Sequence, residues 1–211
     1  MTAPRRALVL VDVQNQYFEG PLAIQYPPRD QSLRNIVRLI DHADATDMPV
    51  VVVQHTLPQE APLFADGSHT WELHPDVAAR IQPSWKLVRK NVGSAFGGTD
   101  VAQWLREQNV DTITLAGYMT NNCNLATAAD AEVRGLAAEV ISDATGAIHI
   151  ANAAGKASAE QVHNTLMAIF NSNFAAVATA DDWIDANTAG AALEKDNLVT
   201  SAVEGQAAFG A

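Results

Sequence analysis

A chain of 211 residues with 48% hydrophobic residues can bury a sizeable core and fits one domain at the upper end of the usual size range. Its 24 acidic against 13 basic residues give a formal net charge of -11, and the scattered Lys and Arg leave no basic patch for nucleic acid or an anionic membrane. One cysteine closes no internal disulfide and no run reaches the roughly 20 apolar residues that span a bilayer, so the expectation is a cytoplasmic protein acting on small molecules.

Arg5-Arg6 ahead of an apolar run superficially resembles a secretory leader, but residues 7–11 are too short for a signal core and are ended by Asp12. That β-branched run reads as a first strand, and residues 50–53, 112–116 and 140–141 read as further strands buried on both faces. Between them, residues 31–45, 100–108, 121–134 and 158–171 carry apolar positions at helical spacing. Strand and helix alternate, which predicts a three-layer α/β fold with a parallel sheet, right-handed crossovers and helices on both faces. The irregular stretch 56–83 holds four of the nine prolines and reads as a lid or a binding wall. The alanine-rich tail, residues 186–211, is a candidate for contact between subunits, and a homo-oligomer is expected.

Three positions carry chemistry. Asp12 stands at the carboxyl end of the first strand, where open α/β sheets bind ligands, and Gln14, Asn15, Tyr17 and Phe18 follow it in a loop suited to a small-ligand pocket. In "WKLVRKNVGSAFGGTD", Lys86 and Arg89 read as surface cations. Lys90, at the far end of a strand, can hold a nearby thiol or carboxylate in its charged form. Cys123 follows a strand, a glycine turn and "TNN", which places its sulfur in the first turn of a helix. Backbone amides and the helix dipole there lower a thiol pKa and cradle an oxyanion. Asp12 and Cys123 are then expected to face each other across the crevice where the strand order reverses.

The segments "LVLVDVQNQY", "KNVGSAFGGTD" and "LAGYMTNNCNLATAADA", in that order, resemble the isochorismatase-like cysteine hydrolases, the superfamily of nicotinamidases, N-carbamoylsarcosine amidohydrolase, ureidoacrylate and biuret hydrolases, and isochorismatases. The resemblance covers residues 6–184. It implies one hydrolase domain with a six-stranded parallel sheet of order 3-2-1-4-5-6 and a triad of Asp12, Lys90 and Cys123. It also implies a cis peptide between Tyr118 and Met119 that sets the Met119 N–H beside that of Cys123 as an oxyanion hole. The activity implied is cleavage of a small amide or ureide C–N bond through a thioester. Isochorismatase-type ether cleavage and a non-hydrolytic redox or ligand-binding thiol are the alternatives.

Nicotinamidases hold a metal with an Asp-x-His pair and a further His, whereas here Val53 stands two residues before His55. Asp66, His69 and His74 are irregularly spaced. No metal and no cofactor are expected. The candidate substrate contacts are Tyr17, Phe18, Trp71, Tyr118 and Asn122; Phe64 and Phe96 read equally as wall or core, Asn122 also as a helix cap, and His149 and His163 as packed side chains.

Overall fold

The computed structural model describes residues 3–210. Its first strand, β1 (Arg6–Val11), is buried along its whole length because helices cover both of its faces. Leu8 and Leu10 point into one core with Ile36, Leu39 and Ile40 of α1 (Arg29–Ala45). Ala7, Val9 and Val11 point into the other with Val101 and Leu105 of α3 (Val101–Glu107) and Ala128 and Ala131 of α4 (Leu125–Val133). The period of two along one strand thus fills two separate cores.

The remaining sheet strands are β2 (Val50–His55), β3 (Lys86–Lys90), β4 (Thr112–Tyr118), β5 (Ala137–Gly146) and β8 (Ala176–Ala178), all parallel, in the order β3-β2-β1-β4-β5-β8. Counting sheet strands alone, this is the expected 3-2-1-4-5-6. A short antiparallel hairpin of β6 (Ile150–Asn152) and β7 (Gly155–Ala157) interrupts the numbering. It leads into α5 (Ala159–Ile169), whose Ser158 and Gln161 form a reciprocal capping box. The stretch 56–85 contains only one helical turn, α2 (Pro75–Ala78). It is pinned along its length: Asn15 and Gln16 donate their amides to Glu72 and Thr70 carbonyls, and His74 donates to Val13.

The predicted helix over 121–134 divides in two. Asn122 and Asn124 both donate to the Met119 carbonyl, at 3.1 and 3.3 Å, which opens a wide π-type turn over Thr120–Asn124 before α4 begins. Two further helices, α6 (Ala180–Thr188) and α7 (Leu198–Phe209), follow among the described residues. In α7 Leu198, Val199, Val203 and Phe209 are all exposed. No helix of the described residues is long and apolar enough to cross a membrane.

At the amino end of the sheet a buried ion pair ties the layers together. Arg6 Nε donates to both Glu139 oxygens, at 3.0 and 2.9 Å, and its Nη2 lies 2.8 Å from Oε1 and 2.7 Å from the Ala191 carbonyl. Thr114 Oγ1 and Trp183 Nε1 each donate to Glu139 Oε2 at 2.8 Å.

Candidate active site

Four adjacent strands deliver their carboxyl ends to one place. Strand order reverses at β1, with β2 on one side and β4 on the other, and the side chains just past this switch point converge. Asp12 follows β1, His55 ends β2, Lys90 ends β3 in register with His55, and Cys123 follows β4. Close approach of β1 and β4 requires the glycine between them. A Cβ on Gly117 would lie 2.2 Å from the Val11 carbonyl oxygen, and its φ is +104°.

The Lys90 ammonium lies at the centre. Its Nζ is 2.7 Å from Asp12 Oδ2, 3.2 Å from Cys123 Sγ, 3.1 Å from His55 Nδ1 and 3.1 Å from the Val92 carbonyl. Lys90 thus touches both Asp12 and Cys123, whose side-chain ligand atoms lie within 4.8 Å of each other, and all three residues are sealed from solvent, at 0%, 3% and 1% exposure. Asp12 takes a left-handed backbone with φ of +50°, which a short polar side chain tolerates and which turns its carboxylate inward. The Lys90 ammonium pairs with Asp12 Oδ2, the Cys123 thiol and the His55 amide face the same carboxylate, and neither oxygen receives a hydrogen bond of regular geometry from the described residues. The Tyr118–Met119 peptide is cis, and the Met119 amide donates to no backbone acceptor among the described residues.

Burial raises the Asp12 pKa, with the Lys90 charge opposing it. Burial likewise pushes the Cys123 thiol up to about 12, the Asp12 charge adding to the rise and Lys90 opposing it. This runs against the expectation of a thiol acidified at a helix start: Cys123 is 1% exposed beside a carboxylate, and burial together with that charge outweighs the Lys90 ammonium. Near pH 7 the Cys123 thiol therefore keeps its proton beside the Asp12–Lys90 pair. His55, pushed down to about 4 by burial and then by Lys90, is neutral near pH 7.

Asp12, His55 and Cys123 form the only group of three metal-ligand atoms among the described residues, all within 4.8 Å of one another. Since the Lys90 ammonium touches all three, the position a cation would take already carries a positive charge. Asp66, His69 and His74 are not brought together. Asp66 pairs with Arg89, His69 with Glu19 and Glu72, and His74 Nδ1 caps α2 by accepting from the Asp76 amide.

The expected aromatic walls separate into two sets. Tyr17 lies close enough to the cluster for the Asp12 and Cys123 charges to raise its phenol pKa further, after burial, and it packs on Phe64 at 5.5 Å. Phe64 in turn faces His55 at 4.9 Å. Tyr118 instead belongs to the core: it is 0% exposed, packs on Tyr17 and Phe18, and shares a 2.8 Å hydrogen bond with Ser32, because its side chain alternates away from the crevice at the end of β4. Phe18 stacks on His74 at 4.3 Å. Trp71 is half-buried, its Nε1 donating to Thr56 Oγ1, with Arg89 4.6 Å over its ring. Asn122 is exposed, and Phe96 packs in the core.

Gln14 and Asn15 act as braces. Gln14 accepts from the His55 amide and donates to the His55 and Trp71 carbonyls; Asn15 donates to the His69 carbonyl. Behind the turn that carries Cys123, Asn124 donates to Gly117 and Thr145, and His163 Nδ1 bonds Thr120 at 3.1 Å, so His163 supports the turn from behind. His149 Nδ1 accepts from the Ala159 amide at the start of α5. A cleft of about 270 Å³, lined by Thr56, Arg89, Lys90, Asn91, Gly97 and Gly98, opens beside Lys90. A larger cavity of about 360 Å³ at the amino end of the sheet shares no residue with the cluster.

Comparison with known proteins matches this architecture. A crystal structure from Burkholderia xenovorans LB400, provisionally named an isochorismatase, superposes with a TM-score of 0.95 at 45% identity, covering 100% of both chains. Streptothricin hydrolase of Streptomyces noursei is 34% identical over 134 residues, 63% of this chain and 50% of its own. Maleamate amidohydrolase of Pseudomonas putida is 28% identical over 158 residues, 68% of this chain and 73% of its own. The isochorismatase domain matches residues 6–182, and the chain belongs to the isochorismatase family of hydrolases.

Proposed function

We propose that the protein hydrolyses a C–N bond of a small amide or ureide through a Cys123 thioester. The observation that carries this reading is the Lys90 ammonium set between the Asp12 carboxylate and the Cys123 sulfur, at 2.7 and 3.2 Å in a sealed site. A sensing thiol has no use for a carboxylate that moves protons, and ether cleavage by protonation has no use for the sulfur. Among the relatives, a hydrolase and an amidohydrolase carry names that agree with this class.

In this reading Asp12 accepts the thiol proton as the sulfur attacks the carbonyl carbon. The two events are coupled because a thiol with a pKa of about 12 is not ionised beforehand. The Met119 and Cys123 amides hold the oxyanion. Asp12 then passes the proton to the departing nitrogen, and a water activated by the same carboxylate cleaves the thioester. Lys90 offsets the charge on whichever of Asp12 and Cys123 is ionised. Tyr17 packs beside the cluster and Phe64 beside His55, and Phe18, Trp71 and Asn122 are the further substrate contacts in this reading.

The test is ammonia release from a panel of primary amides and ureides, with wild type and Cys123→Ala in parallel. Turnover by wild type that falls by about a thousandfold or more in the variant is the expected result. Equal turnover by the two would end the covalent reading.

A further inference from the structure

The Lys90 ammonium has three N–H bonds and four acceptors within 3.2 Å: Asp12 Oδ2, the Val92 carbonyl, His55 Nδ1 and Cys123 Sγ. One acceptor is always in excess. The Asp12 carboxylate and the Val92 carbonyl are the stronger pair, so the third N–H is contested between an imidazole nitrogen and a sulfur. A thiol sulfur is a weak acceptor and a thiolate a strong one.

We propose that His55 is a positioning residue that holds the third Lys90 N–H while Cys123 is a thiol and yields it to the sulfur as the thiolate forms. The inference rests on Cys123 being the nucleophile. As the thiol proton moves to the free Asp12 Oδ1, the Lys90 N–H swings from Nδ1 to Sγ, so no proton is gained or lost by His55. The backbone makes this arrangement by register: His55 and Lys90 are direct partners across β2 and β3. Two braces keep the ring in place, the Gln14 side chain bonded to both the amide and the carbonyl of His55, and the Phe64 ring 4.9 Å away. The hydrogen bond requires Nδ1 to be unprotonated, with the ring proton on Nε2. The titratable groups facing the cluster are Asp12 beyond β1, Tyr17 in the turn that follows it, Lys90 on β3 and Cys123 beyond β4.

Because Cys123 is the only cysteine, iodoacetamide reports its thiolate directly without any knowledge of the substrate. The rate of alkylation is followed against pH for wild type, His55→Leu and His55→Asn, with Cys123→Ala as the blank and melting curves as the check on folding. In His55→Leu the third N–H is committed to sulfur, and the alkylation midpoint should fall by about one pH unit. In His55→Asn the side-chain oxygen can replace Nδ1 as acceptor, and the midpoint should stay within a few tenths of wild type. A midpoint unchanged in His55→Leu, or shifted equally in both variants, overturns the proposal. Failure of the hydrolase reading is recognised separately, as silence across the amide panel with the alkylation shift intact.

Discussion

Two buried charge clusters stand at opposite ends of the same sheet, and they are built to opposite ends. At the amino end, Arg6 and Glu139 are 4% and 3% exposed, and both Glu139 oxygens are satisfied by Arg6, Thr114 and Trp183. At the carboxyl end, Asp12 is 0% exposed, adopts a left-handed backbone, and pairs with the Lys90 ammonium without a hydrogen bond of regular geometry on either oxygen. A buried charge with every lone pair occupied has nothing left to react with and serves as a staple. A buried charge with a vacant lone pair beside a thiol is poised to take a proton. Under the proposed function, the degree of satisfaction, more than burial itself, separates the structural ion pair of this protein from the reactive one.

The strongest way to break the comparison is to neutralise one carboxylate in each cluster. Glu139→Gln leaves the Arg6 charge buried without its partner and should cost about 3–5 kcal/mol of unfolding free energy, read from urea denaturation, with turnover per folded molecule preserved. Asp12→Asn should lower turnover by about a hundredfold or more. Its stability cost should be smaller, because Lys90 keeps the Val92 carbonyl and His55 as acceptors. A stability loss larger in Asp12→Asn than in Glu139→Gln would mean that the reactive cluster is also the principal staple.

The thiol sharpens the contrast through pH. An ordinary thiol releases its proton near 9, whereas the folded protein holds that of Cys123 up to about 12. Between those values the unfolded chain sheds a proton that the native state keeps. The stability this group contributes is complete below about 9 and is lost as pH rises toward 12. Tyr17, also raised, acts in the same direction but remains in a Cys123→Ala variant. Urea midpoints measured from pH 8 to 11 should therefore fall more steeply for wild type than for Cys123→Ala. Parallel curves would show that the thiol ionises as readily in the folded state as in the unfolded chain.

The same contrast explains what could be read from the sequence. The alternation of β-branched runs and amphipathic stretches reveals the central strands and four helices, since burial on both faces leaves continuous apolar runs such as residues 7–11. The hairpin β6-β7 is exposed throughout or nearly so and has no apolar alternation to reveal it, and β8 is three residues of Ala and Val. Asp12, Lys90 and Cys123 stand out because strand ends at a switch point are where chemistry collects. In the sequence His55 bears only on the metal question, through Val53 two residues before it. Its place beside Lys90 follows from the pairing register of β2 and β3, which a single sequence does not display. Gln14 and Asn15 look like pocket polar groups in the sequence but act as braces, and the thiol looks acidic from its helix start, because solvent access is a property of the assembled layers.

The smallest expected effect concerns the redundancy of the staple. Glu139 Oε2 accepts from Thr114 Oγ1 and from Trp183 Nε1, both at 2.8 Å, and from Arg6 Nε at 2.9 Å. Thr114→Val removes one of these donors while keeping the shape of the side chain and suiting the middle of a parallel strand. Because the oxygen keeps two donors, the full price of an unsatisfied buried carboxylate is not incurred, and the loss should be about 1 kcal/mol. The Trp183 indole also gives up its 3.0 Å contact to Thr114 Oγ1, but it retains Glu139. A double-mutant cycle of Thr114→Val with Glu139→Gln measures the coupling between the two side chains. A coupling comparable to the loss from Glu139→Gln alone would show that the staple depends on each of its donors, and the contrast with the singly served Asp12 would then lie in geometry, not in redundancy.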